Sequence, residues 1–403
     1  SAAAAPPRDA KGLPMFGFDW QLGSTSGWGV YGLNLARRAL ASSVALPVPL
    51  AEPALAGVDA DTVALLEPSI DANARLRAGV AERRGQPMHV PFAMLRALGN
   101  ELCVAPESAA IGATRNIGVV FFESTRLTPE AIARARRYHR IVAGSTWNAD
   151  VLRSRGIDNV VTVLQGVDGS RFRKRARRTK RRDRFVIFSG GKLEYRKGQD
   201  IVVAAFREFR RRHPDALLMV AWHNHWPQTM REISTAGHTS GYPGMHSAER
   251  ADIVSWLGAN GVPREAVIDA GLRANADMAA LVADADVALF TNRAEGGTNL
   301  VAMECLASGV PTILSANTGH LDLIGDDRCF PLLDQSAARA TESFAGVDGW
   351  GESSVDEVVA LLERVYADPA EAERRGARAA DWMTGLSWDH QIDALFDAVR
   401  DLL

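Results

Sequence analysis

From Met15 onward, short apolar runs alternate with longer stretches in which apolar residues recur at helical spacing. This is the pattern of a parallel sheet covered by helices on both faces. In the first half it predicts strands at Met15 to Asp19, Ile117 to Phe122, Arg140 to Ala143 and Val160 to Leu164, with an ill-defined pair within residues 43 to 65. Helices fit at Val30 to Ala41 and Pro129 to Tyr138, while residues 45 to 112 carry the weakest pattern. The second half repeats the scheme, with strands expected at Phe185 to Ser189, Ala216 to Ala221, Ile268 to Asp269, Val287 to Phe290 and Thr312 to Leu314. Its helices are expected at Gln199 to Arg212, Ser247 to Asn260, Met278 to Ala283, Asn299 to Ala307, Val355 to Ala367 and Pro369 to Met383. In the closing stretch "LSWDHQIDALFDAVRDLL", Ile392, Leu395, Phe396, Val399 and Leu402 form one apolar stripe, so this helix needs a surface to cover.

The pattern therefore reads as α/β, with two Rossmann-like halves. Between them lies "DGSRFRKRARRTKRRDR", residues 168–184, with no apolar periodicity. It reads either as a solvated linker or as a basic patch for an anionic membrane or a polyanionic acceptor. The expected division is 13–170 for the first domain, 171–184 for the basic linker, 185–384 for the second domain and 385–403 for the last helix. The opening "SAAAAPPRDAKG" lacks a basic start and a long apolar core, and is set aside as a disordered leader or a cloning remnant.

Composition narrows the function classes. The 403 residues are 47% apolar and 23% charged, ordinary for a globular chain of two to three domains. A net charge of −2 argues against nucleic acid as the main partner. Cys103, Cys305 and Cys329 are odd in number and widely spaced, which suggests neither a disulfide framework nor a zinc cluster and fits a cytoplasmic setting. No stretch reaches the roughly 18 unbroken apolar residues that span a bilayer.

One segment carries an anomaly. In "TNRAEGGTNLVAMECLASGVPTI", residues 291–313, Glu304 is the only formally charged side chain between Gly296 and Leu321, inside an apparently buried helix. A desolvated carboxylate needs a partner or a proton. The run before it is a strand, followed by a Gly-Gly turn and then Thr298 or Asn299 as helix cap. Such a strand, glycine loop and helix suit an anion, most naturally a phosphate, with Glu304 in reach of hydroxyls attached to it. A private hydrogen-bond network around Glu304 explains the same residues equally well.

"EGGTNLVAMECLASGVPTI" resembles the E-x7-E signature of the group-1, family-4 retaining glycosyltransferases. Other pieces agree in order. "VTVLQGVDGSRF" is similar to the family's inter-domain element, "SGGKLEYRKGQD" to its "GRL...KG" segment, "LVADADVALFTN" to the strand before the signature, and "SWDHQIDALFDAV" to its terminal helix. The resemblance covers residues 115 to 403. It implies a GT-B fold, two Rossmann-like domains facing each other across a cleft, with the C-terminal helix crossing back to the N-terminal domain. Glu295 and Glu304 are separated by eight residues, one more than in the signature. Glu295 precedes the helix, so the extra residue fits in the Gly-Gly loop.

By this resemblance the reaction is sugar transfer from a nucleotide-sugar donor to an acceptor hydroxyl, with retention and with no metal required. The acceptor is a glycan, a lipid-linked sugar or a small molecule. Lys192 and Lys197 match the family's diphosphate-binding cations, with Arg196 beside them; Lys in the usual Arg position keeps charge but loses bidentate geometry. Fixed positive potential from Lys192, Lys197 and the N–H groups of Gly297, Thr298 and Asn299 is expected to stabilise the leaving diphosphate, with Gly191, Gly296 and Leu300 also expected to bind the donor. Glu295 is expected to hold sugar hydroxyls, and Glu304 the ribose. Gly27 lies in "FDWQLGSTSGWGVYG", similar to the family's N-terminal glycine loop, where Trp28 and Tyr31 read either as sugar-stacking aromatics or as ordinary packing. The glycines there do not form a G-x-G-x-x-G fingerprint, which argues against a nicotinamide cofactor. Glu123 follows a strand and reads either as a donor or acceptor contact or as a cap for the helix at Pro129.

"HNHWPQ" at residues 223–228 has two histidines without a further ligand and reads as a loop, and the "DAD" triplets at 59–61 and 284–286 as helix ends or turns. A nucleotide-sugar epimerase and a catalytically degraded sugar-nucleotide binding protein are the rival readings.

Overall fold

Apolar runs buried on both faces build two separate sheets. The computed structural model describes residues 8, 9, 12–83, 85–174, 183–224, 226–247, 250–325 and 327–403. Most of the basic linker, the start of the leader and His225 lie outside the described residues. The first sheet is formed by β1 (Met15–Phe18), β2 (Leu46–Pro49), β3 (Met88–Leu98), β4 (Ile111–Val120), β5 (Arg140–Ala143) and β6 (Val160–Thr162). All pairings are parallel, in the order β2-β1-β3-β4-β5-β6. Its helices are α1 (Gly27–Ala41), α2 (Ala60–Glu82), the single turn α3 (Pro106–Ala109), α4 (Pro129–Ala135) and α5 (Thr146–Ser154).

The second sheet contains β7 (Phe185–Lys192) and β8 (Ala216–His223), then, after a small antiparallel hairpin of β9 (Met245–Ser247) and β10 (Arg250–Ala251), β11 (Val267–Asp269), β12 (Val287–Phe290), β13 (Thr312–Ser315) and β14 (Phe330–Leu332). The order β11-β8-β7-β12-β13-β14 is again parallel throughout. A second hairpin joins β15 (Gln335–Ala337) and β16 (Gly351–Ser353). The accompanying helices are α6 (Gln199–Arg212), α7 (Ile253–Ala259), α8 (Asn275–Val282), α9 (Leu300–Ala307), α10 (Val355–Ala367) and α11 (Pro369–Met383), followed by α12 (Trp388–Val399).

Side-chain alternation along the strands divides each core into two faces. Ile187, Leu218, Val220, Val287 and Leu289 pack on α6, α7 and α10. Their neighbours Val186, Phe188, Met219, Ala288 and Phe290 pack on α8, α9 and α11. In the first sheet Phe16, Phe18, Leu95, Ile117 and Val119 face α1 and α12. Helix α12 thus belongs to the first sheet's core although it follows the second domain, as the terminal-helix resemblance implied. Arg38 grips Asp393 there through Nε at 2.8 Å and Nη2 at 2.6 Å.

In each sheet the strand order reverses beside a central strand, between β1 and β3 and between β7 and β12. Ligands of open α/β sheets bind outside the carboxyl ends at such points. The two switch points face each other.

Several expectations need correction. The pair of strands within residues 43 to 65 is one strand, β2, because Asp59 accepts from Thr62 N at 2.8 Å and starts α2 at Ala60. The helix expected from Ser247 begins only at Ile253, where the Asp252 carboxylate caps it through Ser255 N at 3.1 Å; the residues before it turn through the β9–β10 hairpin. Helix α5, strand β14 and both hairpins have no counterpart in the sequence pattern.

Candidate active site

The turn after β7 concentrates charge. Residues Tyr195–Lys197 form one 3-10 turn ending at Gly198, whose φ of +69° lies in the left-handed region open to glycine. Lys192 Nζ pairs with Glu194 at 2.8 Å, and Arg196 reaches three carboxylates: Glu194 at 2.7 Å, Glu295 at 3.4 Å and, across the cleft, Glu123 at 3.4 Å. Lys197 Nζ sits 2.5 Å from Glu295 Oε1, which also accepts from Asn292. Burial pushes the Glu295 carboxyl up, but Lys197 and Arg196 overcome it and hold it at about 2. Burial raises Glu123, with Glu194 and Glu295 adding to the rise against Arg196. Burial lowers Lys197, against the pull of Glu295.

Behind this cluster the second-domain loops are held by a buried guanidinium. Arg293 has no exposure and donates to Asp200 at 2.8 Å through both terminal nitrogens, to Glu352 at 2.5 Å and to the Tyr195 carbonyl at 2.7 Å. Its guanidinium carbon lies 4.0 Å from the Tyr195 ring centroid. One residue thereby fixes the turn after β7 against the loop after β12.

That loop leads to α9. Asn299, at φ +63°, caps the helix, accepting from Ala302 N at 3.3 Å and donating Nδ2 to His320 Nε2 at 3.0 Å. Burial drives the His320 imidazole down to about 4, so it is neutral with its proton on Nδ1, facing the Ser315 carbonyl at 3.3 Å. Glu304 sits in the second turn of α9 and accepts from Asn275 Nδ2, while the Asn275 side-chain oxygen accepts from Arg171 at 3.0 Å. Burial raises the Glu304 carboxyl to about 8, against Asn275 and Arg171.

Lys192, Lys197, Glu295, Glu123, Gly27, Gly191, Arg196, Gly297, Asn299, Leu300 and Glu304 all line one inter-domain cavity of about 560 Å³. Gly296 and Thr298 do not. A side chain on Gly296 would collide with the Phe121 carbonyl, so this glycine is where the two domains touch. Thr298 is fully buried and turns its hydroxyl onto Met303 Sδ at 3.0 Å. Tyr31 is not a cavity residue either: it is stacked between Trp20 and Trp388, at 5.5 and 5.7 Å between centroids, while Trp28 lines the wall. Glu123 caps no helix, since Thr128 caps α4 and Glu101 holds the Thr128 amide at 3.0 Å.

The cations expected to supply positive potential are accompanied by acids. Lys192, Arg196 and Lys197 stand against Glu123, Glu194 and Glu295, so each cation of the turn is met by a carboxylate. Glu194 was visible in "GKLEYRKG" as an acid between cations. Asn275 and Arg171 were not, because their link to Glu304 exists only in three dimensions. His223, Trp226 and Arg273 also line the cavity, and Lys192 Nζ lies 4.7 Å from the centre of the Trp226 ring. Among the described residues no group of three or more His, Cys, Asp and Glu side chains is placed to hold a metal ion, and no helix is long and apolar enough to cross a membrane.

Two parallel sheets whose switch points face each other across a charged cavity, with a returning helix, define the GT-B class of glycosyltransferases. Solved structures agree on the fold. The chain aligns with a glycosyltransferase from Rickettsia africae at TM-score 0.63 and 11% identity, covering 96% of this chain and 98% of that one. Sucrose-phosphate synthase from Thermosynechococcus elongatus aligns at 0.62 and 15%, covering 96% and 98%. Anabaena HepE in complex with UDP and glucose aligns at 0.60 and 14%, covering 96% and 100%. Residues 145–395 match a family described as family 4 glycosyltransferase in conflict systems, and the chain belongs to that family. It is also 26% identical over 230 residues to a GDP-mannose-dependent α-(1-6)-phosphatidylinositol monomannoside mannosyltransferase of Mycolicibacterium smegmatis. That match takes in 54% of this chain and about half, 50%, of the curated relative.

Proposed function

We propose that the protein is a retaining, metal-independent glycosyltransferase that moves a sugar from a nucleoside diphosphate sugar to an acceptor hydroxyl. The observation that carries this reading is the convergence of Lys197, Arg196, Glu295 and Glu304 on one cavity at the facing switch points. The relatives point the same way: the Anabaena structure holds UDP and glucose, and the mycobacterial enzyme is named for GDP-mannose.

The bond that breaks joins the anomeric carbon to a phosphate oxygen, and the diphosphate departs with added negative charge. Lys197, Lys192, Arg196 and the N-terminal amides of α9 supply the compensating potential. For this, Lys197 exchanges Glu295 for phosphate, and Glu295 is freed to hold donor-sugar hydroxyls. Glu304 takes the ribose. The acceptor proton passes to the departing phosphate oxygen on the same face, so configuration is kept. A cytoplasmic setting, with the basic segment 171–184 touching an anionic membrane, belongs to the same proposal.

A second reading, a sugar-nucleotide binding protein without turnover, is favoured by one observation: the turn's cations are already paired with carboxylates. Thermal unfolding with UDP-, GDP- and ADP-sugars in the presence of EDTA tests both. One donor class is expected to raise Tm in proportion to its affinity and to be hydrolysed slowly, with NMR showing retention in the transfer product. A protein stabilised by no donor, or an inverted product, overturns the enzyme reading as stated. Stabilisation without nucleotide release favours the second reading.

A further inference from the structure

One residue of the second domain is bonded to three other parts of the chain. Asn275 opens α8, and Ala274 before it caps the helix with no side-chain hydrogen bond. The first amides of a helix have no partner within it. Here the Asn275 N–H donates to the first domain, to the Ser24 carbonyl at 3.2 Å. Ser24 lies in the glycine loop and is itself fixed: its hydroxyl donates to the Ala56 carbonyl at 2.7 Å, and beside it Gly23 N donates to the Gly29 carbonyl at 3.1 Å.

The side chain of the same residue serves the second domain. Its Nδ2 donates to Glu304 Oε1 and, among the described residues, is the one hydrogen-bond donor to that buried carboxyl. Its Oδ1 accepts from Arg171 Nη1 at 3.0 Å. A guanidinium only donates, so Arg171 fixes the amide with its oxygen toward the inter-domain segment and its NH2 toward Glu304. A carboxyl oriented by one bond at Oε1 keeps Oε2 for a ligand hydroxyl.

Resting on the donor reading above, we propose that Asn275 is a positioning residue for the transfer: its side chain aims Glu304 at the donor's ribose, and its main-chain N–H holds the glycine loop of the first domain against the donor side. Ser24, Thr25, Ser26 and Gly27 of that loop line the cavity, so one residue sets both the grip on the donor and the place of the loop opposite.

The backbone lets the two roles be separated. Ala274 has φ −64° and ψ 148°, the conformation favoured before proline, and the first helical position accepts proline because its N–H makes no helical bond. Asn275→Ala removes the side-chain bonds alone. Asn275→Pro removes those bonds and the N–H.

Titration calorimetry tests the side-chain role, using whichever of UDP, GDP and ADP raises Tm, together with its 2′-deoxy and 3′-deoxy forms. The unaltered protein is expected to bind one of the deoxy forms about 10-fold or more weakly than the ribose form. In Asn275→Ala the ribose form is expected to weaken to about the level of that deoxy form. The deoxy form is expected to bind as before, which also shows that the variant is folded. Glu304→Ala is expected to give the same pattern and the double variant no further loss, since the two side chains act as a unit.

The main-chain role is read by comparing the two Asn275 variants. Asn275→Pro is expected to match Asn275→Ala in both affinities, to keep a larger radius of gyration with nucleotide bound, and to hydrolyse donor with a kcat about 10-fold lower. Equal weakening of ribose and deoxy forms in Asn275→Ala, or no weakening of either, overturns the positioning of Glu304. Equal radii and equal turnover in the Ala and Pro variants overturn the hold on the glycine loop. Equal affinity of the unaltered protein for ribose and deoxy forms removes the ribose from Glu304 and overturns this inference while the donor reading stands. Protection by no nucleotide overturns the donor reading, and this inference with it.

Discussion

At the scale of single residues, Glu304 shows how a burial cost is turned to use. Its carboxyl is raised from the ordinary 4.5 to about 8 because burial outweighs Asn275 and Arg171. Between those two values the folded protein holds a proton that the unfolded chain has released. Stability is therefore full below about pH 4.5 and declines as pH rises toward 8, by up to about 5 kcal/mol at 1.36 kcal/mol per unit. Glu304→Gln is neutral at every pH and escapes that decline. Its Tm is expected to match the unaltered protein at pH 5 and to exceed it at pH 8.5, in thermal melts at both values. Ribose hydroxyls donating to Glu304 favour the ionised form, so nucleotide binding at pH 7 is expected to release about one proton in the unaltered protein and none in Glu304→Gln. Titration calorimetry in buffers of different ionisation enthalpy reads this. Equal proton release in both proteins would remove Glu304 from the ribose site.

At the scale of elements, the loops are held by interactions that span the chain. Arg293 lies 93 residues from Asp200 and 59 from Glu352, yet it joins both at the back of the site. Removing it leaves the fully buried Asp200 carboxylate without its cation and Glu352 with His238 at 2.6 Å. Such losses cost about 3 to 5 kcal/mol. Arg293→Ala is expected to lower the guanidinium chloride midpoint accordingly; a change below about 1 kcal/mol would show that the pair merely offsets its own desolvation.

The same elements show what the sequence makes legible. Strands β7, β8, β12 and β13 are apolar on both faces, and a buried parallel strand writes itself as an unbroken run. Region 45–112 is obscure for identifiable reasons. Strand β3 contains Pro91 and a register shift between Val90 and Ala93, and α2 carries Pro68 and places the polar Ser69 and Asn73 on its buried face beside Leu66, Ala72 and Leu76. At the site, Lys192, Lys197, Glu295 and Glu304 could be found because they lie in two short ordered motifs. Trp28, Asn100 and Phe121, which share one wall of the cavity, come from the first turn of α1, the 3-10 turn after β3 and the segment after β4, and no local pattern joins them.

At the scale of the molecule, the cavity lies between two domains, and its shape depends on how they are held together. The domains meet through Ser145 Oγ on the Gly296 carbonyl at 2.7 Å, Thr146 N on Asp322 at 2.8 Å and Asn275 N on the Ser24 carbonyl at 3.2 Å. Further contacts join them, among them Arg196 with Glu123 at 3.4 Å, Trp350 Nε1 on the Glu123 carbonyl at 2.9 Å, Thr125 with Asp348 and Trp147 packed with Phe344 and Trp350. The covalent crossings lie elsewhere. The chain leaves the first domain just beyond Val167 and returns just before Trp388, and the two crossings are hydrogen-bonded to each other, Val167 N to the Leu386 carbonyl at 2.9 Å and Trp388 N to the Val167 carbonyl at 3.1 Å. Paired crossings are where a hinge between the domains is expected. Gly166 lets them pair: a Cβ there would stand 2.5 Å from Trp388 N and Cα, in backbone that has no rotamer to yield. Gly166→Ala is therefore expected to displace the hinge while leaving both sheets intact. Small-angle scattering should give a larger radius of gyration that added nucleotide sugar does not reduce to the unaltered value, and kcat should fall by about 10-fold or more, since misplacement near 1 Å costs that much or more in oriented reactions. Far-ultraviolet circular dichroism matching the unaltered protein, together with the unaltered radius and turnover, would place the hinge outside this crossing.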